Sequence, residues 1–151
     1  MGDFNAGPGL TTAEGLIGTP PNLAAPGKRM LSSMTPTIVA RDGKLLMVTG
    51  AEGGRTIIST VLHTILNVLD HGMDALQAVS APRVHHQWSP DLLYFEAHGL
   101  SPDTRKILEG MGHKLEERTP MCNAQVIVVD PETGLITGAS DPRGMGEAVG
   151  F

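Results

Sequence analysis

The sequence predicts an α+β fold in which an antiparallel sheet is covered by helices, and three observations lead there. β-prone runs come in hairpins, the helical patterns fall between those hairpins, and the apolar content is almost wholly aliphatic. Hydrophobic residues make up 40% of the 151-residue chain while aromatic residues make up 3%, so the core has to be built from Leu, Ile, Val, Met and Ala in compact layers. That length suffices for one domain with a real core and is short for two.

The first thirty residues hold six Gly and four Pro with little hydrophobic periodicity, which predicts an extended segment lying across other structure. Next, Thr37-Ile38-Val39-Ala40 and Lys44-Leu45-Leu46-Met47-Val48-Thr49 flank Asp42-Gly43, the strongest two-residue hairpin signal. After Gly53-Gly54 the apolar positions Ile57, Ile58, Val61, Leu62, Ile65, Leu66, Val68 and Leu69 recur at helical spacing up to the terminator Gly72. These predict a helix over 56–70 that buries its apolar residues. A short helix is expected over 74–80, stopped by Ala81-Pro82, and a third from Ser101-Pro102 to about Gly112. A strand is expected over 92–96. A second hairpin pairs 124–129 with 135–139 across Asp130-Pro131-Glu132-Thr133-Gly134.

Net charge excludes some function classes. At −5 and without a basic run, the chain has no electrostatic attraction for nucleic acid or an anionic membrane surface. It carries no apolar run long enough to span a bilayer and no signal peptide. Its single cysteine, Cys122, has no neighbouring base in sequence to activate it as a nucleophile. Adjacent His85 and His86 would point to opposite faces of a strand and cannot readily share a metal, so a structural role is expected for His85-His86-Gln87-Trp88. His63 and His71 are expected to be solvated.

The stretch that carries chemistry runs from Ser32-Ser33 to Gly53-Gly54. Paired hydroxyls can hold a small polar ligand, and glycine N–H groups at a helix start can point at an anionic oxygen. The same residues also suit a plain hairpin, a tight turn and a core helix.

Four motifs in order resemble the small subunit of bacterial gamma-glutamyltransferases: Leu31-Ser32-Ser33-Met34-Thr35-Pro36-Thr37-Ile38; Val48-Thr49-Gly50-Ala51-Glu52-Gly53-Gly54; Ala81-Pro82-Arg83 with His85-His86-Gln87-Trp88; and Gly138-Ala139-Ser140-Asp141-Pro142-Arg143. The resemblance covers essentially the whole chain. It implies the N-terminal-nucleophile hydrolase fold, a four-layer αββα sandwich, of which residues 1–151 would form the C-terminal portion of the small subunit, a single domain without the strand that bears the nucleophile. It implies that Ser32 and Ser33 bind the α-carboxylate of a γ-glutamyl group, that Asp3 pairs with its α-ammonium, and that the N–H groups of Gly53 and Gly54 form an oxyanion hole. By sequence alone Asp3 would be a solvated loop carboxylate.

The implied reaction passes a γ-glutamyl group from glutathione or another γ-glutamyl amide to water or an amino acid, through an acyl-enzyme on a threonine. No metal or organic cofactor is implied. A large subunit is the expected partner, and the resemblance implies a periplasmic or extracellular setting for a full-length parent. The family's threonine lies upstream of Met1 in this pattern, so the nucleophile is expected to be absent from the chain, as in a fragment, a truncated reading frame or a misassigned start. Departures from the pattern are Gly2 for a second acid, Arg55 after the glycines, Cys122 for a small residue and Phe151 for a terminal tyrosine. The alternative function is a non-catalytic remnant that binds a partner subunit or an amino acid.

Overall fold

The computed structural model describes residues 4, 5, 7–9 and 20–150. Two sheets and three helices organise them. β1 (Thr37–Arg41), β2 (Lys44–Glu52), β6 (Asn123–Val129) and β7 (Ile136–Ser140) form a sheet of order β1-β2-β6-β7, antiparallel throughout. Asp42 and Gly43 both take positive φ, 52° and 75°, the backbone that lets a two-residue turn follow the twist of its strands. The central pairing sets Met47 against Val128 and Thr49 against Val126, so alternate residues of two strands reach one face together.

The helices α1 (Ile57–Leu69) and α2 (Ala75–Ser80) close the core, which is centred on Leu46, Met47, Ala75, Val79, Ala124, Val126 and Ala139. It is aliphatic, as the composition requires. α2 opens on a capping box: Asp74 accepts from the Gln77 N–H, and the Gln77 side chain accepts from the Asp74 N–H.

α1 differs from expectation in the face it buries. Ile58, Leu62 and Leu69 are exposed, while Thr60 and Thr64 are buried beside Ile57 and Val61. The Thr64 hydroxyl donates to the Thr60 carbonyl at 2.9 Å, so a threonine can enter the core with its polar group satisfied inside its own helix. Hydrophobic periodicity therefore located the helix but misjudged its rotation.

The second sheet has the order β3-β4-β5, with β3 (Val84–His85), β4 (Leu93–Glu96) and β5 (Leu115–Arg118). β4 and β5 are parallel, joined through α3 (Pro102–Gly110), whose Ser101 side chain accepts from the Thr104 N–H. This is one βαβ crossover inside an otherwise antiparallel α+β fold. Sequence reasoning missed it because Leu-Glu-Glu-Arg has no period-two apolar signal.

Candidate functional site

Ser32 and Ser33 lie on the extended approach to β1. A buried asparagine fixes that approach: Asn22 Oδ1 accepts from the Leu31 N–H at 3.0 Å, and its Nδ2 donates to Asn5 Oδ1 at 3.0 Å. Ser32 Oγ accepts from the Met34 N–H at 3.2 Å, and Thr35 Oγ1 donates to the Ser33 carbonyl at 3.0 Å. Ser32 is exposed and Ser33 half-buried.

Gly53 and Gly54 follow β2 with φ of 135° and 68° and lead through a 3-10 turn, Gly54–Thr56, into α1. The glycines thus stand one turn ahead of the α-helix rather than at its first residue. Only glycine fits the first position, since a Cβ on Gly53 would lie 2.5 Å from Cys122 Sγ and 2.8 Å from Cys122 Cα. Thr56 Oγ1 donates to the Gly53 carbonyl at 3.0 Å and lies 2.9 Å from Cys122 Sγ. The turn is thereby held from its carbonyl side. Among the described residues neither glycine N–H donates a hydrogen bond. Cys122 thus packs behind the turn, with a threonine hydroxyl and, among the described residues, no base hydrogen-bonded to its sulfur.

Behind Cys122 stands a four-charge cluster. Arg83, from the Ala81-Pro82-Arg83 motif, ion-pairs with Asp141 from the Ser140-Asp141-Pro142-Arg143 motif, and both side chains are almost fully buried. Arg143 pairs with Glu96 at 2.6 Å and with Asp141 at 3.0 Å. Three of the side chains also hold the backbone of residues 121–124: Arg83 donates to the Met121 and Cys122 carbonyls at 2.6 and 3.3 Å, Glu96 accepts from the Met121 N–H at 2.6 Å, and Asp141 accepts from the Ala124 N–H at 2.9 Å. Burial alone would raise the Asp141 carboxyl. The Ala124 and Arg143 N–H groups and the two guanidinium groups outweigh it and hold that carboxyl below the ordinary carboxylate range. Arg143 is likewise held more firmly protonated, its burial being outweighed by Glu96 and Asp141.

An open cavity of about 550 Å³ brings Ser32, Ser33, Gly53 and Gly54 together, with Asn5, Asn22, Arg55, His85, Gln87, Tyr94 and Arg118 also among its lining. Four of the five predicted site residues therefore share one pocket, while Asp3 lies outside the described residues. His85 and His86 do point apart: His85 lies 2.6 Å from Ser59 Oγ, whereas His86 lies 3.1 Å from Asp91 Oδ1. Asn22, Tyr94 and Arg118 carried no sequence signal, because each reaches the pocket only through tertiary packing. No group of three His, Cys, Asp or Glu among the described residues could hold a metal ion, and no helix there is long and apolar enough to cross a membrane.

Solved structures define the class. The chain matches a Helicobacter pylori gamma-glutamyltranspeptidase T380A mutant with a TM-score of 0.88 and 42% identity, over 94% of this chain and 77% of that one. It matches a Pseudomonas nitroreducens gamma-glutamyltranspeptidase complexed with L-DON with a TM-score of 0.87 and 39% identity, over 99% and 78%. The fold is that of the N-terminal-nucleophile hydrolases.

Within that class the chain belongs to the gamma-glutamyltranspeptidase family, whose model matches residues 1–151. It is 50% identical to the glutathione hydrolase proenzyme of Escherichia coli K12 over 143 residues, which is 95% of this chain and 24% of that relative. The corresponding protein of Pseudomonas sp. A14 is 44% identical, with all of this chain matched to 28% of it. The chain thus spans about a quarter of the length of the curated relatives it matches.

Proposed function

We propose that residues 1–151 form the C-terminal portion, a single domain, of a gamma-glutamyltransferase small subunit, and that they supply its γ-glutamyl pocket and oxyanion donors. The observation that carries this reading is the single cavity shared by the serine pair and the glycine turn. In it Ser32 and Ser33 donate to the α-carboxylate of the glutamyl group, and Asp3 accepts from its α-ammonium. The N–H groups of Gly53 and Gly54 face the carbonyl oxygen that becomes anionic when a nucleophile adds to the γ-amide. A zwitterion and a developing oxyanion need these donors and acceptors, and a pocket that fixes one end of the substrate places the other for attack. The attacking threonine comes from outside residues 1–151, a large subunit completes the enzyme, and water or an amino acid takes the acyl group. Glutathione is the substrate in view, since the curated relatives are glutathione hydrolases.

Titration of the chain with S-methylglutathione tests the pocket. Binding should weaken roughly ten- to a hundred-fold in Ser32→Ala/Ser33→Ala, the loss expected for hydrogen bonds to a charged group, with folding unchanged by circular dichroism. The chain alone should not turn over a γ-glutamyl anilide, and turnover should appear when a polypeptide carrying the family's threonine and large subunit is added. Hydrolysis by the purified chain alone would place the nucleophile inside residues 1–151 and overturn the division of labour. Equal binding by the double variant would remove the serines from the site.

A further inference from the structure

A second part of the pocket lining is a stack of side chains outside the serine and glycine motifs. Gln87 Nε2 donates to the Ser89 carbonyl at 2.8 Å, which orients the amide so that its Oε1, 2.9 Å from His85 Nε2, accepts. His85 therefore donates from Nε2 to that oxygen, and its Nδ1 lies 2.6 Å from Ser59 Oγ, whose hydroxyl donates to the Thr56 carbonyl at 3.2 Å. The imidazole so fixed lies parallel to the Tyr94 ring, with an interplanar angle of 9° and 6.4 Å between centroids. Both rings are buried. Over Tyr94 lies the Arg118 guanidinium, 3.6 Å from the ring centroid.

The face of Arg118 is thus occupied and its edge is open. Its Nε lies 3.4 Å from Glu116 Oε1 in a half-exposed pair, and among the described residues its two terminal nitrogens make no hydrogen bond. A guanidinium stacked by its face on a fixed ring presents two parallel donors at its edge, the arrangement a carboxylate matches. Charge agrees: among the described residues the pocket lining includes Arg55 and Arg118 and no Asp or Glu, in a chain of net charge −5. With Asp3 assigned to the α-ammonium, the local sign of this described lining is opposite to that of the molecule and suits a ligand with more than one carboxylate.

We propose that Arg118, held on Tyr94, is a second carboxylate-binding group of this pocket. It takes the C-terminal carboxylate of the peptide attached to the γ-glutamyl group, and so selects γ-glutamyl peptides ending in a free acid over plain γ-glutamyl amides. This rests on the reading of the pocket as a γ-glutamyl site. Arg118 acts on binding and on choice of substrate, with no part in bond making.

Calorimetric titration of the whole chain with three probes tests it: S-methylglutathione, its C-terminal amide, and glutamate γ-methylamide. The free acid should bind roughly three- to tenfold more tightly than the C-terminal amide, as expected for a charge-assisted pair at a solvent-open site, and the ratio should shrink as salt is added. In Arg118→Gln the ratio should fall to about one with binding of the C-terminal amide unchanged, and Arg118→Lys should keep part of it. A ratio near one in the unaltered chain, or a ratio that survives Arg118→Gln, would overturn the proposal while the γ-methylamide still binds. Failure of all three probes to bind would instead overturn the γ-glutamyl pocket, and the second subsite with it.

Discussion

The rim of the pocket and the charge cluster behind it are built on opposite plans. At the rim, Ser32 is exposed and the glycine N–H groups donate to nothing among the described residues. In the cluster, Arg83, Glu96, Asp141 and Arg143 are nearly all withdrawn from water, and their charges are spent on one another and on the backbone of residues 121–124. The contrast assigns the two regions different work. Groups that must bind something else cannot be satisfied internally, so their positions have to be imposed by neighbours that are. Here the imposition runs through Met121 and Cys122: the cluster grips their peptide groups, and Cys122 fills the space a side chain on Gly53 would need.

The largest effects should come from breaking the cluster. Arg83→Met would leave Asp141 without one of its two guanidinium partners and the Met121 carbonyl without its donor. A loss of about 3–5 kcal/mol is expected, the cost of unpairing a buried charge, measured by urea unfolding. Arg83→Met/Asp141→Leu should cost less than the sum of the two single changes, because neither leaves the other's charge stranded. Asp141 adds a sign that can be checked. Its folded carboxyl is held below the ordinary value, so its contribution is fully present above the unfolded value of about 3.9 and is lost as pH falls through the lower folded one. The gap in stability between the unaltered chain and Asp141→Asn should therefore narrow on acidification below about pH 4. A constant gap would show that the carboxylate charge is not what holds the cluster.

The glycine pair sharpens the comparison at the seam between the two regions. Gly53→Ala meets both a positive φ and the Cys122 backbone, a backbone strain plus an overpacking cost of about 3 kcal/mol or more together. Gly54→Ala meets open space at φ +68° and should cost only about 1 kcal/mol, the ordinary penalty of a left-handed residue. Thermal unfolding of the two variants decides the matter. Equal losses would mean that Cys122 yields, and that the cluster does not fix the turn.

What the sequence revealed follows the same divide. Both hairpins, all three helices and the serine and glycine pairs were legible because each is a local pattern: turn chemistry, a period, a cap or a spacing. The cluster was not, since Arg83, Glu96 and Asp141 lie on separate segments and look like ordinary surface charges until the chain is folded. The arginine of Ala81-Pro82-Arg83 and the aspartate of Ser140-Asp141-Pro142 were visible as parts of motifs without a stated purpose. Arg118 was hidden for the same reason, since a cation at the end of a short polar strand has no signature apart from the ring beneath it. Asp3, legible only through the family resemblance, lies outside the described residues.

The smallest expected effect concerns His63, a side chain of neither region that feels the cluster from α1. From the sequence it is expected to be solvated, yet its Nδ1 is buried without a hydrogen-bond partner among the described residues. Burial, then the charge of Arg83 and the neighbouring His85 ring, lower its pKa from 6.5, with Glu96 opposing. Because the folded state resists the proton and the unfolded state does not, the unfolded chain binds more protons below about pH 6.5. Stability should therefore fall as pH drops from 6.5 through the folded pKa and level off beneath it, before the carboxylates of the cluster begin to titrate. His63→Phe keeps a ring of similar size, removes the unpaired nitrogen and cannot be charged, so its urea midpoint should be flat across that interval. If the variant kept the same slope as the unaltered chain, the proton responsible would belong to another histidine, and the field of the cluster would not extend to α1.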